Sequence, residues 1–338
     1  AHCCGHHAQM AGIFGAALAL TVPEIAEKLG GQVVFFATPA EEYGEIEFKN
    51  QLREQGKIRY GGGKCELIRT GAFDDIDLCL AHHIRPGDEI QVGSGTGNGF
   101  VSKVIRYLGK AAHAAGAPDK GVNALSAASL GLQALGLNRE TFRDEDCVRV
   151  HPIITKGGNL VNVIPDEIVI ETLVRAKTIE AFTDAAKKTD RSFQAGAVAM
   201  GAKVEITTLP GYLPTLAEQA LPELKRAAEL AAPEVPVREA AGHSGGSTDV
   251  GDVQHLMPVY TFNTGGVKGG LHQINFEVTN EEEAYIDTAK MFALAAYGLL
   301  KEKAARSKEL VKNYKPVFKD SAEYTKFMEQ FDSKEVLD

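Results

Sequence analysis

The stretch GGQVVFFATPAEE, residues 30–42, joins two glycines and a run of apolar residues to two glutamates. The β-branched and aromatic residues at 33–37 predict a short strand, and an entirely apolar strand suits a sheet that is covered on both faces. Pro39 ends the run, and Glu41 and Glu42 follow almost directly. The stretch therefore predicts a buried strand of an α/β sheet whose end carries two carboxylates.

The neighbouring segments extend this pattern. Residues 8–21 have the length and the small side chains of a tightly packed, buried helix, and residues 45–73 predict a charged helix, a break at three glycines and a second short helix. A second apolar strand at 76–81 ends at His82 and His83. Alternating strands and helices predict an open, mainly parallel sheet, in which ligands bind beyond the carboxyl ends of the strands. Glu41, Glu42 and His83 all fall at that edge.

A different pattern begins near residue 100. Strands and helices are predicted in the order β-α-β-β-α-β, at 101–108, 122–137, 147–155, 167–174, 179–199 and 203–208. This order is that of a ferredoxin-like unit. We therefore predict the first part of an α/β domain at 1–99, an inserted ferredoxin-like domain at 100–212, and the second part of the α/β domain at 213–338.

The last segment resumes the first pattern. A helix is predicted at 215–231 and a strand at 257–262, each followed by a glycine-rich loop. The spacing of Thr279 and Glu282 predicts a capping box at the start of a long helix. The tail beyond about residue 303 is charged, and its pattern leaves a helix and a frayed end as alternatives.

Composition argues against several classes of protein. The net charge is −9, with 36 basic and 45 acidic residues and no basic run, which argues against a nucleic-acid partner. Five cysteines without regular spacing do not predict a disulfide framework, so we expect a reducing, cytoplasmic location. The sequence contains no apolar stretch long enough to predict a membrane span.

Several residues that bind metals or transfer protons fall at predicted strand ends or in loops. Cys4 and His6 stand two residues apart, and thiolate and imidazole both bind borderline-soft cations. Of adjacent glutamates at a strand end, one can bind a metal while the other acts as general base on an activated water. His83 and His272 are further candidate ligands. Each of these residues alone is more often structural, but their combination in one α/β domain predicts a metal site.

Three other motifs are weaker. GGGKC at 61–65 lacks the spacing of a phosphate-binding P-loop, and GSGTGNG at 93–99 does not fit the dinucleotide-binding pattern. Ser244 lies in GHSGG, which fits G-x-S-x-G literally but does not follow a convincing strand. A serine hydrolase using Ser244 is thus a minor alternative.

A set of motifs, in chain order, resembles a known family. The motifs are HCCGHH (2–7), TPAEE (38–42), AHHIRP (81–86), AAHAAGAPDKGVNAL (111–125), GGNLVNVIP (157–165) and GSTDVGDV (246–253). They resemble the zinc-dependent metallopeptidases and amidohydrolases that include aminoacylases, hippurate hydrolases and indoleacetyl-amino-acid hydrolases. GSTDVGDV most resembles the aminobenzoyl-glutamate hydrolase branch.

The resemblance implies a function and a set of roles. It implies metal-dependent hydrolysis of the amide bond of a small N-acyl or N-aroyl amino acid, an aminobenzoyl-glutamate-like compound or a dipeptide. The cofactors implied are two divalent ions, zinc or else manganese or cobalt, with Glu41 as the general base. The implied metal ligands are Cys4, His6, Glu42, His83 and His272.

The resemblance also implies that the inserted domain is a lid and a homodimerisation surface. His113 would stabilise the oxyanion in the site of the neighbouring subunit, and Asn162 and Arg175 would hold the carbonyl and the carboxylate of the substrate.

Two features depart from the family pattern. His7 stands where the family has Asp or Asn, and a further imidazole there could add a ligand. The family also has an upstream strand that ends in an acidic residue behind the metals, and nothing before Ala1 supplies it. An inactive or truncated relative that acts as a dimeric scaffold is therefore the alternative to an enzyme.

Overall fold

The computed structural model describes residues 3–337, so His2 of the HCCGHH motif lies outside the described residues. The helices, in chain order, are α1 (His6–Leu20), α2 (Pro23–Ala26), α3 (Ile46–Glu54), α4 (Gly63–Arg69), α5 (Ala124–Asn138), α6 (Ile179–Met200), α7 (Pro222–Ala231), α8 (Val250–Gln254), α9 (Thr288–Asn313) and α10 (Ser321–Met328). The strands are β1 (Cys79–Ile84), β2 (Ile90–Val92), β3 (Thr96–Gly97), β4 (Gly99–Leu108), β5 (Arg149–Val150), β6 (Ile153–Lys156), β7 (Glu167–Ala176), β8 (Lys203–Pro210), β9 (Val237–Glu239), β10 (His243–Ser244), β11 (Val259–Thr264), β12 (Val267–Lys268), β13 (Glu277–Val278) and β14 (Ser333–Leu337).

The first sheet has the strand order β1-β11-β2-β9. β1 and β11 are parallel, as are β2 and β9, whereas β11 and β2 are antiparallel. Helices α1, α7 and α9 cover it, and its core joins Phe262 of β11 to Leu224 of α7 and Phe292 of α9. Burial of these large apolar side chains holds the mixed α/β layer together.

The apolar run at 33–37 does not form a strand, which corrects the sequence-based prediction. Val34 and Phe35 are 52% and 38% exposed. A segment becomes a strand only when a neighbouring strand pairs with its N–H and C=O groups. In the described structure β1 pairs with β11 alone, so residues 33–37 run past it without a ladder.

Helix α1 is buried on one face only. Its small residues approach α9 closely, since a Cβ added at Gly12 would lie 2.4 Å from Thr288 and one at Gly15 would lie 2.6 Å from Ala289. The prediction of a wholly buried helix is wrong for the opposite face. There Met10, Phe14 and Leu18, spaced four residues apart, are exposed.

The second sheet is antiparallel, with the strand order β14-β8-β4-β7-β5 and with β6 also paired to β7. Helices α5 and α6 pack together and against its strands, and Tyr107 of β4 and Phe193 of α6 lie in the shared core. The single strand predicted at 147–155 is divided into β5 and β6. Pro152 stands between them, and proline has no N–H to donate to a ladder.

Several element boundaries differ from the predictions. β1 begins at Cys79 and contains both His82 and His83, and α7 begins at Pro222 rather than near residue 215. A π-helical turn, Glu282–Asp287, leads into α9. Asn280 accepts the N–H of Glu283 at 3.3 Å, so the predicted capping box is wrong and the residue after Thr279 caps this turn.

The tail is ordered against both sheets. Helix α9 has non-helical backbone angles at residues 301–304, and α10 then packs against α4. β14 pairs antiparallel with β8, so the end of the chain extends the second sheet. Of the helices described, none combines the length and the apolar character required to cross a membrane.

Candidate metal centre

The HCCGHH loop is directed toward the end of β1 by one glycine. Gly5 precedes α1 with a φ of 79°, a left-handed conformation that glycine adopts without strain. A Cβ at Gly5 would lie 2.0 Å from Cγ2 of Ile84, so only glycine permits this close approach to β1. Cys4 and His6, on either side of Gly5, consequently lie beside His83.

Thiol, imidazole and carboxylate groups from four segments meet at this point. The Cys4 Sγ lies 3.5 Å from Nε2 of His83 and 3.1 Å from Nε2 of His272. Glu42 Oε1 lies 3.3 Å from Nε2 of His272 and 3.6 Å from Nε2 of His6. The Oε2 of Glu41 lies 3.7 Å from the same nitrogen of His6. The structure thus brings together Cys4, His6, Glu41, Glu42, His83 and His272.

One hydrogen bond orients the imidazole of His83, and another fixes the backbone that carries His272. Nδ1 of His83 lies 2.7 Å from the carbonyl of Ile84, so Nδ1–H donates there and the Nε2 lone pair faces Cys4. This is the outer hydrogen bond that metal-binding histidines ordinarily make. The backbone N–H of His272 donates to the carbonyl of Cys3 at 2.7 Å, which joins the loop before β13 to the HCCGHH loop.

The electrostatics of the cluster suit a cation. Burial, together with the hydrogen bond and negative charge of Glu42, raises the pKa of the Cys4 thiol to about 12. Burial and the charge of Asp249 raise the pKa of Glu41, and burial lowers the pKa of His83. The crowded anionic groups oppose one another, and a divalent ion would offset this. Sulfur, imidazole and carboxylate donors are a set that zinc and related ions accept.

The loop that carries the two glutamates is strained. Ala40, Tyr43 and Glu45 have φ values of 56°, 51° and 54°, a left-handed conformation that costs non-glycine residues about 1 kcal/mol each. The surroundings hold this loop: Tyr43 donates to the carbonyl of Pro210 at 2.7 Å, and Tyr212 donates to the carbonyl of Glu41. The positions of Glu41 and Glu42 therefore depend on contacts outside the loop.

Arg175 lies on β7, opposite Phe100 of β4, with its guanidinium 5.7 Å from the Phe100 ring centre. Burial lowers its pKa, and the charges of Tyr212 and Glu42 act in the opposite direction, which places it near the glutamate loop. Within the described part of the chain, Arg175 has no carboxylate partner at ion-pair distance.

His113 and Asn162 lie together in the loops that follow β4 and β6. His113 forms a bridge with Val163, and the N–H of Ala114 donates to the carbonyl of Asn162. The exposed His113 accepts N–H bonds from Ala115 and Gly116 at Nδ1, which leaves its proton on Nε2. The structure records no contact from either described residue to the cluster of Cys4.

Two residues weighed from the sequence lie elsewhere. His7 packs edge-on against Phe276 and Tyr285 and belongs to none of the possible metal-binding groups found among residues 3–337. Ser244 accepts the N–H of Gly246, while the adjacent His243 contacts Thr96 and Asn98. Among residues 3–337 no imidazole forms a hydrogen bond with Ser244, so the described structure does not support the serine-hydrolase alternative.

The sequence reasoning missed a group of residues behind Glu41. The side chain of Lys64 pairs with Asp249 at 2.5 Å, and the Asp249 side chain is fully buried. The signal was present, since the sequence shows GGGK and GSTD as short motifs. GGGK was tested only as a phosphate loop and GSTD only as a family marker.

Comparison with known proteins identifies relatives. The profile of Peptidase family M20/M25/M40 matches residues 1–297. The chain is 28% identical to the Xaa-Arg dipeptidase of Mus musculus over 325 residues, which cover 93% of this chain and 67% of that protein. It is 26% identical to the indole-3-acetyl-aspartic acid hydrolase of Enterobacter agglomerans over 231 residues, 65% of this chain and 48% of that protein. A p-aminobenzoyl-glutamate hydrolase component of Escherichia coli (strain K12) is 30% identical over 176 residues, 52% of this chain and 32% of that protein.

A solved structure shares the fold. The crystal structure of a dinuclear metal-binding peptidase of Bacillus subtilis superposes with a TM-score of 0.56 at 23% identity, covering 88% of this chain and 73% of that one. Since the family profile spans most of the sequence, the chain belongs to peptidase family M20/M25/M40 and is a metal-dependent amidohydrolase or peptidase.

Proposed function

We propose that this protein hydrolyses the amide bond of a small N-acyl or N-aroyl amino acid, an aminobenzoyl-glutamate-like compound or a dipeptide, with two divalent metal ions as cofactors. The observation that carries the proposal is the convergence of Cys4, His83 and His272, with Sγ–Nε2 distances of 3.5 and 3.1 Å, beside the glutamate pair. The relatives, among them a dipeptidase and an aminobenzoyl-glutamate hydrolase, support this range of substrates.

Five residues would hold the metal ions, which we propose to be zinc, or manganese or cobalt. Cys4 belongs to two of the possible ligand groups, one with His6 and His83 and the other with Glu42 and His272. Two ions could therefore share one region. When bound, they supply Lewis-acid polarisation of the carbonyl and make water more acidic.

Glu41 is the proposed general base. Its carboxylate would take a proton from the attacking water and return it to the leaving amine nitrogen, so that the amide is replaced by a carboxylate and an amine. Glu42 contacts both His6 and His272, whereas of these two histidines Glu41 contacts His6 only. This difference supports Glu42 as ligand and Glu41 as base.

Arg175 is the proposed partner of the substrate carboxylate. It is partly buried on β7 and has no protein carboxylate within ion-pair distance among the described residues. Guanidinium binds carboxylate through two parallel hydrogen bonds, which fixes the orientation of a small amino-acid substrate.

We further propose that the second sheet with α5 and α6 is a lid and a homodimerisation surface. β6 has an unpaired edge in the described structure; Ile153 and Ile154 on β6 are exposed, as are Leu160 and Val161 in the loop that follows it. His113 lies in the same region with Nε2–H available as a donor. Across a dimer it would stabilise the oxyanion of the partner's reaction, with Asn162 on the substrate carbonyl.

The first experiment tests the metals and the base. Purified protein is assayed on aminobenzoyl-glutamate, hippurate and Xaa-Arg dipeptides, with metal content measured in parallel. Chelation should abolish turnover. Glu41→Gln should lower kcat by about 10²- to 10⁴-fold with metal retained, whereas the matched variant Glu42→Gln should lose metal. Full turnover by Glu41→Gln would contradict the base assignment, and a metal-free, inactive wild type would favour the scaffold alternative.

The second experiment tests sharing of the site. Neither Glu41→Gln nor His113→Ala should turn over alone. Mixed in equal amounts and allowed to exchange subunits, they should regain about a quarter of wild-type activity, because half of the dimers then contain one intact site. No recovery, or a monomer by sedimentation, would refute the shared site.

We also propose a cytoplasmic location. Cys3, Cys4, Cys65, Cys79 and Cys147 are free thiols, as a reducing compartment would keep them.

A further inference from the structure

We propose that the buried ion pair of Lys64 and Asp249 is a positioning device for Glu41: it holds the strained loop 38–45 against the metal centre. The proposal rests on the proposed function, in which Glu41 is the general base. The ion pair itself lies outside the groups of possible metal ligands found among the described residues.

The pair is unusually constrained for a lysine and an aspartate. The Nζ of Lys64 lies 2.5 Å from Oδ1 of Asp249, and the backbone N–H of Lys64 donates to Oδ2 at 2.9 Å. The side chain of Asp249 is 0% exposed and that of Lys64 is 19% exposed. Both carboxylate oxygens are therefore bound by one residue, and a buried carboxylate without this partner would be costly.

Asp249 is connected to Glu41 through its neighbour. The Thr248 hydroxyl accepts the N–H of Val250 at 3.4 Å, which directs its own hydrogen elsewhere. Burial and the charge of Asp249 raise the pKa of Glu41, and the Thr248 hydroxyl acts to lower it, so Thr248 lies near the Glu41 carboxyl. A shift of the Asp249 backbone would move Thr248 and, with it, the orientation of the Glu41 side chain.

Lys64 is connected to the same loop from the other side. A Cβ at Gly63 would lie 1.7 Å from the carbonyl oxygen of Pro39, and one at Gly62 would lie 2.2 Å from Tyr212. Tyr212 in turn donates to the carbonyl of Glu41. The start of α4 thus lies directly against loop 38–45, and the ion pair fastens α4 to residues 248–249.

These contacts explain how three left-handed residues persist around the glutamates. Strained backbone is maintained only where the surrounding structure over-determines it. Loss of the ion pair would release α4 from residues 248–249 and let the loop relax. A displacement of about 1 Å between a catalytic group and its target can cost on the order of 100-fold in rate.

The test compares Lys64→Met, Lys64→Arg and a matched control. Lys188→Met is the control, because the Lys188 side chain is 18% exposed and pairs with Asp184 at 2.8 Å on α6, in the second sheet's helical layer. For each variant we would measure kcat, KM, metal content and amide hydrogen exchange of residues 38–45. Lys64→Met should lower kcat by about 10- to 100-fold, with KM and metal content nearly unchanged.

The same variant should speed exchange in residues 38–45 by at least about tenfold. Lys64→Arg should recover a large part of kcat, since it keeps the charge, and Lys188→Met should change nothing in this loop. Thr248→Val, nearly isosteric, should lower kcat with metal retained, and it carries the test if Lys64→Met does not fold.

The results that would contradict the positioning role of the ion pair differ from those that would contradict the proposed amide hydrolysis. Unchanged exchange of residues 38–45 in Lys64→Met overturns the positioning role, even if no substrate in the panel is cleaved. Loss of metal in parallel with kcat would also overturn it, because the pair would then support the ligands rather than the base. If the wild type is inactive but residues 38–45 exchange faster in Lys64→Met, the proposed function is rejected. The role of the ion pair in holding this loop is then retained.

Discussion

The second sheet contrasts with the rim of the metal centre, which we define as the loops that carry Cys4, the two glutamates and His272 beside the end of β1. The two regions are stabilised in different ways. In the sheet, β4 pairs with β7 and β8 along most of its length, and the core beneath is continuous and apolar. At the rim, irregular loops, left-handed residues and charged side chains meet at the ends of β1 and β11. The sheet is stabilised by buried area and regular pairing, whereas the rim depends on individual contacts that fix geometry.

The contrast extends to buried lysines. Lys103 on β4 is 1% exposed and pairs with Asp190 at 2.8 Å within the sheet and helix layer. It also donates to Thr208 on the adjacent β8 at 2.7 Å, so its partners lie in regular elements. Lys64 instead joins a short helix to a loop. A substitution in the sheet should therefore lower stability, and one at the rim should lower turnover.

The largest expected effect on stability is in the sheet. Phe193 is 0% exposed, and its replacement by Ala leaves a cavity beneath Tyr107 and Gly131. Phe193→Ala should lower the free energy of unfolding by about 3–5 kcal/mol, with kcat of the folded fraction unchanged. Urea unfolding and turnover on the same sample check this. A large fall in kcat without loss of stability would contradict the expectation that substitutions in this sheet affect stability rather than turnover.

An effect of intermediate size is expected from two glycine substitutions, one beside the rim of the metal centre and one in the helical layer of the second sheet. Gly63→Ala places a Cβ against the carbonyl of Pro39, whereas a Cβ at Gly136 in α5 meets nothing within 4 Å. Gly63→Ala should destabilise by about 1–3 kcal/mol and lower kcat. Gly136→Ala, the control, should stabilise by about 0.5–1 kcal/mol, because alanine favours helix. Thermal unfolding and measurement of kcat test both variants. Equal changes in stability and kcat would contradict the proposed difference between the two regions.

The smallest effect concerns pH and a buried carboxyl that contacts β11. Burial raises the pKa of Glu218 to about 8 from 4.5, although the N–H of Thr261 donates to it. The folded state therefore favours the protonated carboxyl, and its stabilisation is complete below pH 4.5 and is lost as pH rises toward 8. Between these values wild type should therefore lose more stability than Glu218→Gln, whose side chain does not titrate.

Chemical unfolding of both proteins at several pH values measures this difference. Parallel curves for wild type and Glu218→Gln would show that Glu218 does not titrate in that range. The pH dependence of kcat is a separate measurement and does not enter the comparison.

Local pattern was sufficient to predict the regular parts of the molecule. The alternation that predicted β7 and α6 reflects side chains that are buried on one face, and the structure gives β7 as Glu167–Ala176 and α6 as Ile179–Met200. The convergence of Cys4 with His83 was also expected, because both were candidate ligands of one metal site in the α/β domain. Their contact distance of 3.5 Å agrees with that expectation.

The remaining features depend on contacts that sequence pattern does not contain. Residues 33–37 have strand composition, but without a paired neighbour they form no ladder. The tail was left open between helix and frayed end, and only pairing with β8 makes β14 a strand. The Lys64–Asp249 pair joins positions 185 residues apart, which no local period reveals.

β14 has a consequence for assembly. By lying along β8, the end of the chain occupies one border of the antiparallel sheet. Lys334 and Glu335 on β14 are exposed, and charged side chains on an outer strand discourage the addition of another strand. Growth by strand addition is thus disfavoured at this border, which leaves the opposite border of the described sheet, at β5 and β6.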